Sequence, residues 1–134
     1  MENGYKKEEM KMINETHKIL NKPNLKITAT CVRVPVLNSH SESINVEFEK
    51  EFKINDIYDV LKNQKGVKII NDRQNNIYQL ATNASGKEDI LVGRIRRDES
   101  IENGLNFWCV ADNIRKGAAN NTVQIMKKII EKDV

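Results

Sequence analysis

The sequence lacks most features that identify a common catalytic or metal-binding protein. Its 134 residues include only six glycines, two cysteines and two histidines, and aromatic residues make up 5%. The glycines form neither a G-x-G-x-x-G dinucleotide fingerprint nor a phosphate-binding loop. His17 and His40 are far apart in the sequence and no C-x-x-C pair is present, so we expect no bound metal.

Long apolar runs are also absent. The segment Val32 to Leu37 is interrupted by Arg33 and Pro35, and no run approaches the roughly 20 apolar residues of a membrane span. The first residues, Met1 to Lys7, have no apolar core of the kind found in a signal peptide. We therefore predict a cytoplasmic protein with reduced cysteines and no membrane partner.

Composition and charge indicate an ordinary globular domain. Hydrophobic residues make up 39% and charged residues 31%, and 22 basic against 19 acidic residues give a net charge of +3. The densest basic stretch contains Arg94, Arg96 and Arg97, but Asp98 and Glu99 follow directly. Because the charges are mixed and few aromatics accompany them, we predict no nucleic-acid partner. A small basic nucleic-acid binder using these arginines is the least favoured alternative.

Hydrophobic periodicity predicts helices over 6–20, 54–63 and 113–131. Asp112 is the expected N-cap of the last helix. Gly117 lies in the second turn of that helix, where glycine costs ~1 kcal/mol relative to alanine. We interpret this glycine as a sign that another part of the protein approaches the helix backbone closely.

Strands are predicted where β-branched and alternating residues occur, namely over 25–34, 43–49, 67–70, 89–96 and 104–111. The polar stretch 71–87 is expected to be mostly loop, with a possible short strand over 77–80. This order of elements predicts an α+β fold, with a mostly antiparallel sheet and helices on one face.

A few local features invite a functional interpretation. Arg33 and His40 lie at the end of a predicted strand and in the loop that follows it, where sites often form. Glu8 and Lys11 share one face of the first helix, and Asn113 lies at the start of the last. Each also has a structural interpretation, as an exposed residue, a surface ion pair or a cap. The residues by themselves leave the function open.

The same places carry the motifs of a known family. The first helix contains E-E-M-K at 8–11 and E-T-H-K-I-L at 15–20. The next segments read T-C-V-R-V-P-V at 30–36 and H-S-E-S at 40–43, and V-G-R-I-R-R-D follows at 92–98. Further matches are N-G-L-N, V-A-D-N and R-K-G-A-A, at 103–106, 110–113 and 115–119. From about residue 7 onward, and in the same order, the chain resembles the C-terminal portion of aspartate-semialdehyde dehydrogenases.

The resemblance implies both a fold and an activity. Enzymes of this family combine an N-terminal Rossmann domain for NADP with an α+β domain for catalysis and dimerisation. The second domain resembles the catalytic domain of glyceraldehyde-3-phosphate dehydrogenase. These homo-oligomeric oxidoreductases interconvert L-aspartyl 4-phosphate and L-aspartate 4-semialdehyde, using NADP(H) and phosphate. Their product feeds the synthesis of lysine, threonine, methionine and diaminopimelate.

The resemblance also assigns roles to individual residues. His40 matches the acid–base histidine, and an imidazole suits this role because its unperturbed pKa of about 6.5 is close to working pH. Arg33 matches the arginine that binds the substrate carboxylate, and Glu8 matches the glutamate that pairs with the substrate amino group. Lys11 matches a lysine of the phosphate site. Asn113 lies where the family has an Asn or Gln near the nicotinamide end of the cofactor.

Other parts of the family pattern are missing. The nucleophilic cysteine belongs to a motif like G-N-C-S/T, and neither Cys31 nor Cys109 has that context. We therefore expect residues 1–134 to be a C-terminal part of the catalytic and dimerisation domain, incomplete at its N-terminal side. The helix over 113–131 would pack on the cofactor domain. By itself the chain is expected to be inactive, and a non-catalytic dimerisation or binding module derived from that domain is the alternative.

Overall fold

The structure of the chain is a computed structural model that describes residues 2–132, which form two compact units divided between Pro35 and Val36. The first unit contains helix α1, Lys7–Leu20. Its C-cap is Asn21 in the left-handed conformation, with φ 52°. The amides of Asn21 and Lys22 donate to carbonyl groups of the last turn, which would otherwise have no hydrogen-bond donor within the helix. The helix predicted over 6–20 is therefore confirmed.

The strand predicted over 25–34 is wrong. This segment has no regular secondary structure, and none of the described residues forms a β ladder with it. Side chains of the first unit contact its backbone instead: Glu9 Oε1 accepts the Cys31 amide at 2.8 Å, and His17 Nε2 bonds the Leu25 carbonyl at 2.7 Å. β-Branched residues favour an extended chain, but a strand also requires a neighbour with which to pair.

The second unit is built on a four-stranded sheet of order β1-β6-β5-β2. In chain order the strands are β1 (His40–Glu47), β2 (Val67–Ile69), β3 (Asn71–Asp72), β4 (Ile77–Tyr78), β5 (Ile90–Asp98) and β6 (Gly104–Ala111). The pairs β1–β6 and β5–β6 are antiparallel, whereas β2 and β5 are parallel. β3 and β4 form a separate two-stranded hairpin. The predicted α+β class is confirmed, with a mixed sheet that is mostly antiparallel.

Helices cover both faces of this sheet, so the prediction that they lie on one face is wrong. Helix α2, Ile54–Asn63, has the predicted bounds and packs on the face formed by Val92, Ile95 and Leu105. Neighbouring residues of a strand point to opposite faces, so Leu91 belongs to the other face. There it packs with Val110 and with Ala84 of a short helix that was not predicted, α3 (Ala81–Ala84).

Strand β5 contains an irregularity at its centre. Its register against β6 shifts between Gly93 and Arg96, and Arg94 there has a left-handed φ of 52°. A Cβ built on Gly93 would collide with the Ile70 carbonyl oxygen and with the side-chain amide of Gln79. Gln79 is fully buried and donates from Nε2 to the Trp108 carbonyl at 2.6 Å. Gly93 therefore allows two segments to approach the sheet closely.

The last helix begins with a π-helical turn, Arg115–Ala119, and continues as α4, Asn120–Ile130. The helix predicted over 113–131 is confirmed, with a wider first turn that the sequence does not indicate. Apolar side chains of α4 are about half exposed: Val123, Ile125, Met126, Ile129 and Ile130. Within residues 2–132 no helix combines the length and apolar character needed to cross a bilayer.

Candidate functional site

The candidate ligand-binding residues of the first unit lie on helix α1 and on the segment after it. Glu8 and Lys11 are both exposed and one turn apart, as their spacing predicts. Lys11 Nζ lies 3.7 Å from a carboxylate oxygen of Glu15, one turn further on. Both side chains of that pair are more than half exposed, so the contact contributes little and leaves Lys11 open to an anionic ligand.

Glu9, which the sequence interpretation passed over, is the buried acid of this helix. It is 6% exposed and accepts the backbone amides of Lys6 at 2.7 Å and Cys31 at 2.8 Å. These hydrogen bonds lower the pKa of the Glu9 carboxyl, and the bond from the Lys6 amide has the larger effect. Glu9 therefore connects the helix that carries Glu8 to the segment that carries Arg33. Its position three residues after the N-cap is the spacing of a capping box and could have revealed it.

Arg33 follows Cys31 in this segment, and its side chain is exposed. No ion pair involves it among the residues that the structure describes. An exposed guanidinium can bind a carboxylate through two parallel hydrogen bonds, which neutralise its charge and fix its orientation. The geometry is compatible with the carboxylate-binding role that the resemblance implies.

In the second unit, His40 is the first residue of β1, which begins three residues before the predicted strand, so its predicted place in a loop is wrong. It lies opposite Ala111 of β6. Its side chain is exposed. Glu42 lies opposite Cys109 and shares a face of the sheet with His40, because alternate residues of a strand point the same way. An accessible imidazole at the end of a strand can exchange protons with a ligand.

Asp112 and Asn113 connect the end of β6 to the segment before His40. Asn113 Oδ1 accepts the Ser39 amide at 2.7 Å. Asp112 is 2% exposed, and one of its oxygens accepts the amides of Ile114 and Arg115 at 2.9 Å, as expected for an N-cap. Hydrogen bonds from backbone amides lower the pKa of Asp112, and the bond from the Arg115 amide has the largest effect. The predicted site residues His40 and Asn113 are thus brought together.

Two of the three arginines of β5, Arg96 and Arg97, donate hydrogen bonds within the protein itself. Arg97 donates to the Phe52 carbonyl at 2.6 Å, and its guanidinium lies 4.2 Å from the centre of the Phe52 ring. Arg96 donates to the Arg94 carbonyl at 2.8 Å. These contacts lie within the protein and give no support to the nucleic-acid alternative.

Comparison with known proteins identifies the family. Residues 1–116 match the model of the semialdehyde dehydrogenase dimerisation domain. The chain belongs to the semialdehyde dehydrogenase family. It is 52% identical over 130 residues to the aspartate-semialdehyde dehydrogenase of Aquifex aeolicus, and 46% identical over 129 residues to that of Bacillus subtilis.

Solved structures of this family share the fold. Aspartate semialdehyde dehydrogenase II of Vibrio cholerae, crystallised with ASA, is 43% identical with a TM-score of 0.90. That match covers 98% of this chain and 38% of the other. The match to the Aquifex aeolicus enzyme covers 97% of this chain and 38% of that enzyme. The chain therefore spans little more than a third of the length of the semialdehyde dehydrogenases that it matches.

The environment of the Cys109 thiol in this semialdehyde dehydrogenase segment opposes its activation as a nucleophile. Burial raises the pKa of the Cys109 thiol to about 11, and the carboxylate of Glu42 contributes a smaller part. The nucleophilic form is the thiolate, so this environment opposes activation. Cys31 is half-buried, and its amide bonds Glu9.

We expect Cys109 to be alkylated slowly. At pH 8 a thiol of pKa about 11 is roughly 0.1% thiolate, against about a quarter for an ordinary cysteine. Iodoacetamide labelling of a Cys31→Ser variant should therefore be about 250-fold slower than for an exposed cysteine, and should accelerate as pH rises toward 11. Glu42→Gln should accelerate labelling only modestly because burial dominates. Rapid labelling at pH 7 would contradict this assignment.

Proposed function

We propose that the chain forms part of an aspartate-semialdehyde dehydrogenase, which interconverts L-aspartyl 4-phosphate and L-aspartate 4-semialdehyde with NADP(H) and phosphate. The observation that carries this proposal is the 52% identity to an enzyme of that name over 97% of the chain. The reaction supplies lysine, threonine, methionine and diaminopimelate synthesis, and we place it in the cytoplasm. A homo-oligomer is the expected assembly, in keeping with the match to a dimerisation domain.

His40 is proposed as the acid–base residue. It would accept a proton when a cysteine thiol from outside this chain attacks the aldehyde, and return that proton in the opposite direction. The exposed imidazole at the start of β1 is compatible with both transfers. General acid–base catalysis of this kind typically contributes about 100- to 10,000-fold to the rate.

Arg33, Glu8 and Lys11 are proposed to bind the substrate and phosphate. The Arg33 guanidinium would bind the α-carboxylate, and the Glu8 carboxylate would pair with the amino group. Lys11 would add a positive charge at the phosphate. All three side chains are exposed, and the Lys11–Glu15 pair is a surface contact that an anion can replace.

Asn113 is proposed as a contact of NADP, which would accept or supply the hydride of the reaction. Its Oδ1 is already bonded to the Ser39 amide, so the hydrogens on Nδ2 remain to be donated. Donors of this kind fit the carbonyl oxygen of a carboxamide such as that of nicotinamide. Most of the NADP site would belong to an N-terminal Rossmann domain that is outside this chain.

The helix over 113–131 is proposed to pack on that cofactor domain. The family model ends at residue 116, so α4 lies outside the part that defines the dimerisation domain. Ile125, Met126 and Ile129 share one face of α4 and are each about half exposed, and a contiguous exposed apolar patch often marks an interaction site. A second domain would bury this stripe.

A chimera tests the proposed function. This chain would replace the matching 130-residue segment of the Aquifex aeolicus enzyme, with the unaltered enzyme as control. We expect phosphate-dependent reduction of NADP by aspartate semialdehyde from the chimera and none from the chain by itself. Activity of the chain without the chimera would show that it holds its own nucleophile. A folded chimera that binds phosphate or aspartate analogues without turnover would favour the non-catalytic module.

A further inference from the structure

The side chain of Asn113 continues the hydrogen bonding of the sheet beyond its last ladder pair. The antiparallel ladder between β1 and β6 ends where His40 faces Ala111. One residue before His40, the Ser39 amide donates to Asn113 Oδ1 at 2.7 Å. A side chain therefore takes the place of the strand partner at the point where the chain enters β1.

Ser39 has a conformation that requires such a restraint. Its φ of 80° lies in the left-handed region, which residues with a side chain rarely adopt. Ser39 is 6% exposed, and among the described residues its Oγ has no hydrogen-bond partner. Within the part of the chain that the structure describes the hydroxyl adds no compensating bond, so the hydrogen bond from the Ser39 amide to Asn113 carries more of the stabilisation of this backbone.

Asp112 holds Asn113 in place. Besides capping the helix through the amides of Ile114 and Arg115, its second oxygen accepts the Gly86 amide at 2.7 Å. The buried carboxylate thus connects the end of β6, the helix start and the loop after α3. These hydrogen bonds of Asp112 restrain the backbone next to Asn113, independently of the bond between Asn113 and Ser39.

His40 itself has an exposed side chain, so the position of its imidazole depends on the backbone that carries it. We propose that Asn113 is a positioning residue for His40, acting through the Ser39 amide. The proposal rests on the assignment of proton transfer to His40 under the proposed function. Placement matters because a displacement of about 1 Å at a reacting group can cost 100-fold in rate.

Two substitutions separate positioning from contact with the cofactor. Asn113→Asp keeps an oxygen that can accept the Ser39 amide but loses the donors on Nδ2. Asn113→Ala loses both. If Asn113 positions His40, the Asp variant should resemble the parent at Ser39 and His40, and the Ala variant should not.

The first measurement is NMR on the 134-residue chain, which needs no activity. We expect Asn113→Ala to raise hydrogen exchange at the Ser39 amide about tenfold or more and to shift the His40 ring resonances. Asn113→Asp should leave that exchange close to the parent value. Unchanged exchange in Asn113→Ala, or equal acceleration in both variants, would overturn the proposal.

The second measurement is kinetic and uses the chimera. Asn113→Ala should lower kcat about 10- to 100-fold with little change in KM for aspartate semialdehyde. Asn113→Asp should keep most of kcat and raise KM for NADP. If both variants showed a higher KM for NADP with kcat preserved, Asn113 would act only as a cofactor contact. That result would overturn the proposal that it positions His40. An inactive parent chimera would count against the proposed function, while the NMR result would still decide the positioning role.

Discussion

Replacing His40 with alanine is expected to lower kcat of the chimera by about 100- to 10,000-fold, which is the range for loss of a general acid–base group. The effect should fall on kcat more than on KM for aspartate semialdehyde, because the carboxylate and amino contacts assigned to Arg33 and Glu8 remain. Steady-state kinetics of the chimera and of its His40→Ala variant would measure both parameters.

His17 provides the matched control. It is the other histidine of the chain, and its Nε2 bonds the Leu25 carbonyl at 2.7 Å, so it already has a structural partner. His17→Ala should keep kcat and KM close to those of the parent. A His40→Ala variant that lost less than about tenfold in kcat would remove this residue from the proton-transfer role.

The parts of the fold that the sequence predicted are those with a strong repeating pattern. Helix α2 and strands β5 and β6 carry apolar residues at helical or alternating spacing, and their packing on Val92, Ile95 and Leu105 depends on that spacing. Where a pattern is long enough to define a buried face, local sequence and tertiary structure agree.

The misses have physical causes. The segment 25–34 has the composition of a strand, but ladder formation depends on a distant partner that composition cannot report. Helix α3 has only four residues, too few for a period to be recognised. Arg94 and Ser39 adopt left-handed φ without being glycine or asparagine, so no residue type indicates the bulge or the entry to β1.

The site was predicted unevenly for a related reason. His40, Arg33, Glu8, Lys11 and Asn113 were found through motifs of a known family, and their roles stay predictions. Glu9 and Ser39 were missed because their contribution is a hydrogen bond to the backbone of another segment. Bonds of that kind follow from the folded arrangement, and the residue types involved are common everywhere in proteins.

The structure also predicts that Gly93 cannot be replaced. In Gly93→Ala the new methyl group would collide with the Ile70 carbonyl oxygen and the Gln79 amide, close to the packed cluster of Leu91, Val110 and Ala84. Overpacking typically costs about 1–3 kcal/mol, and a collision with backbone belongs at or above the upper end of that range. We expect a loss of about 3 kcal/mol or more in the free energy of unfolding, measured by urea denaturation of the chain.

Gly117→Ala is the control for Gly93→Ala. The sequence suggested close approach at Gly117, yet the nearest described atom to a Cβ there is the Asn113 Cβ at 3.9 Å, an ordinary contact. Alanine should therefore stabilise the helix by about 0.5–1 kcal/mol, because glycine loses more conformational freedom on folding. The two substitutions add the same methyl group and should change the stability in opposite directions. Equal changes in stability would mean that the collision with Ile70 and Gln79 does not cause the loss expected for Gly93→Ala.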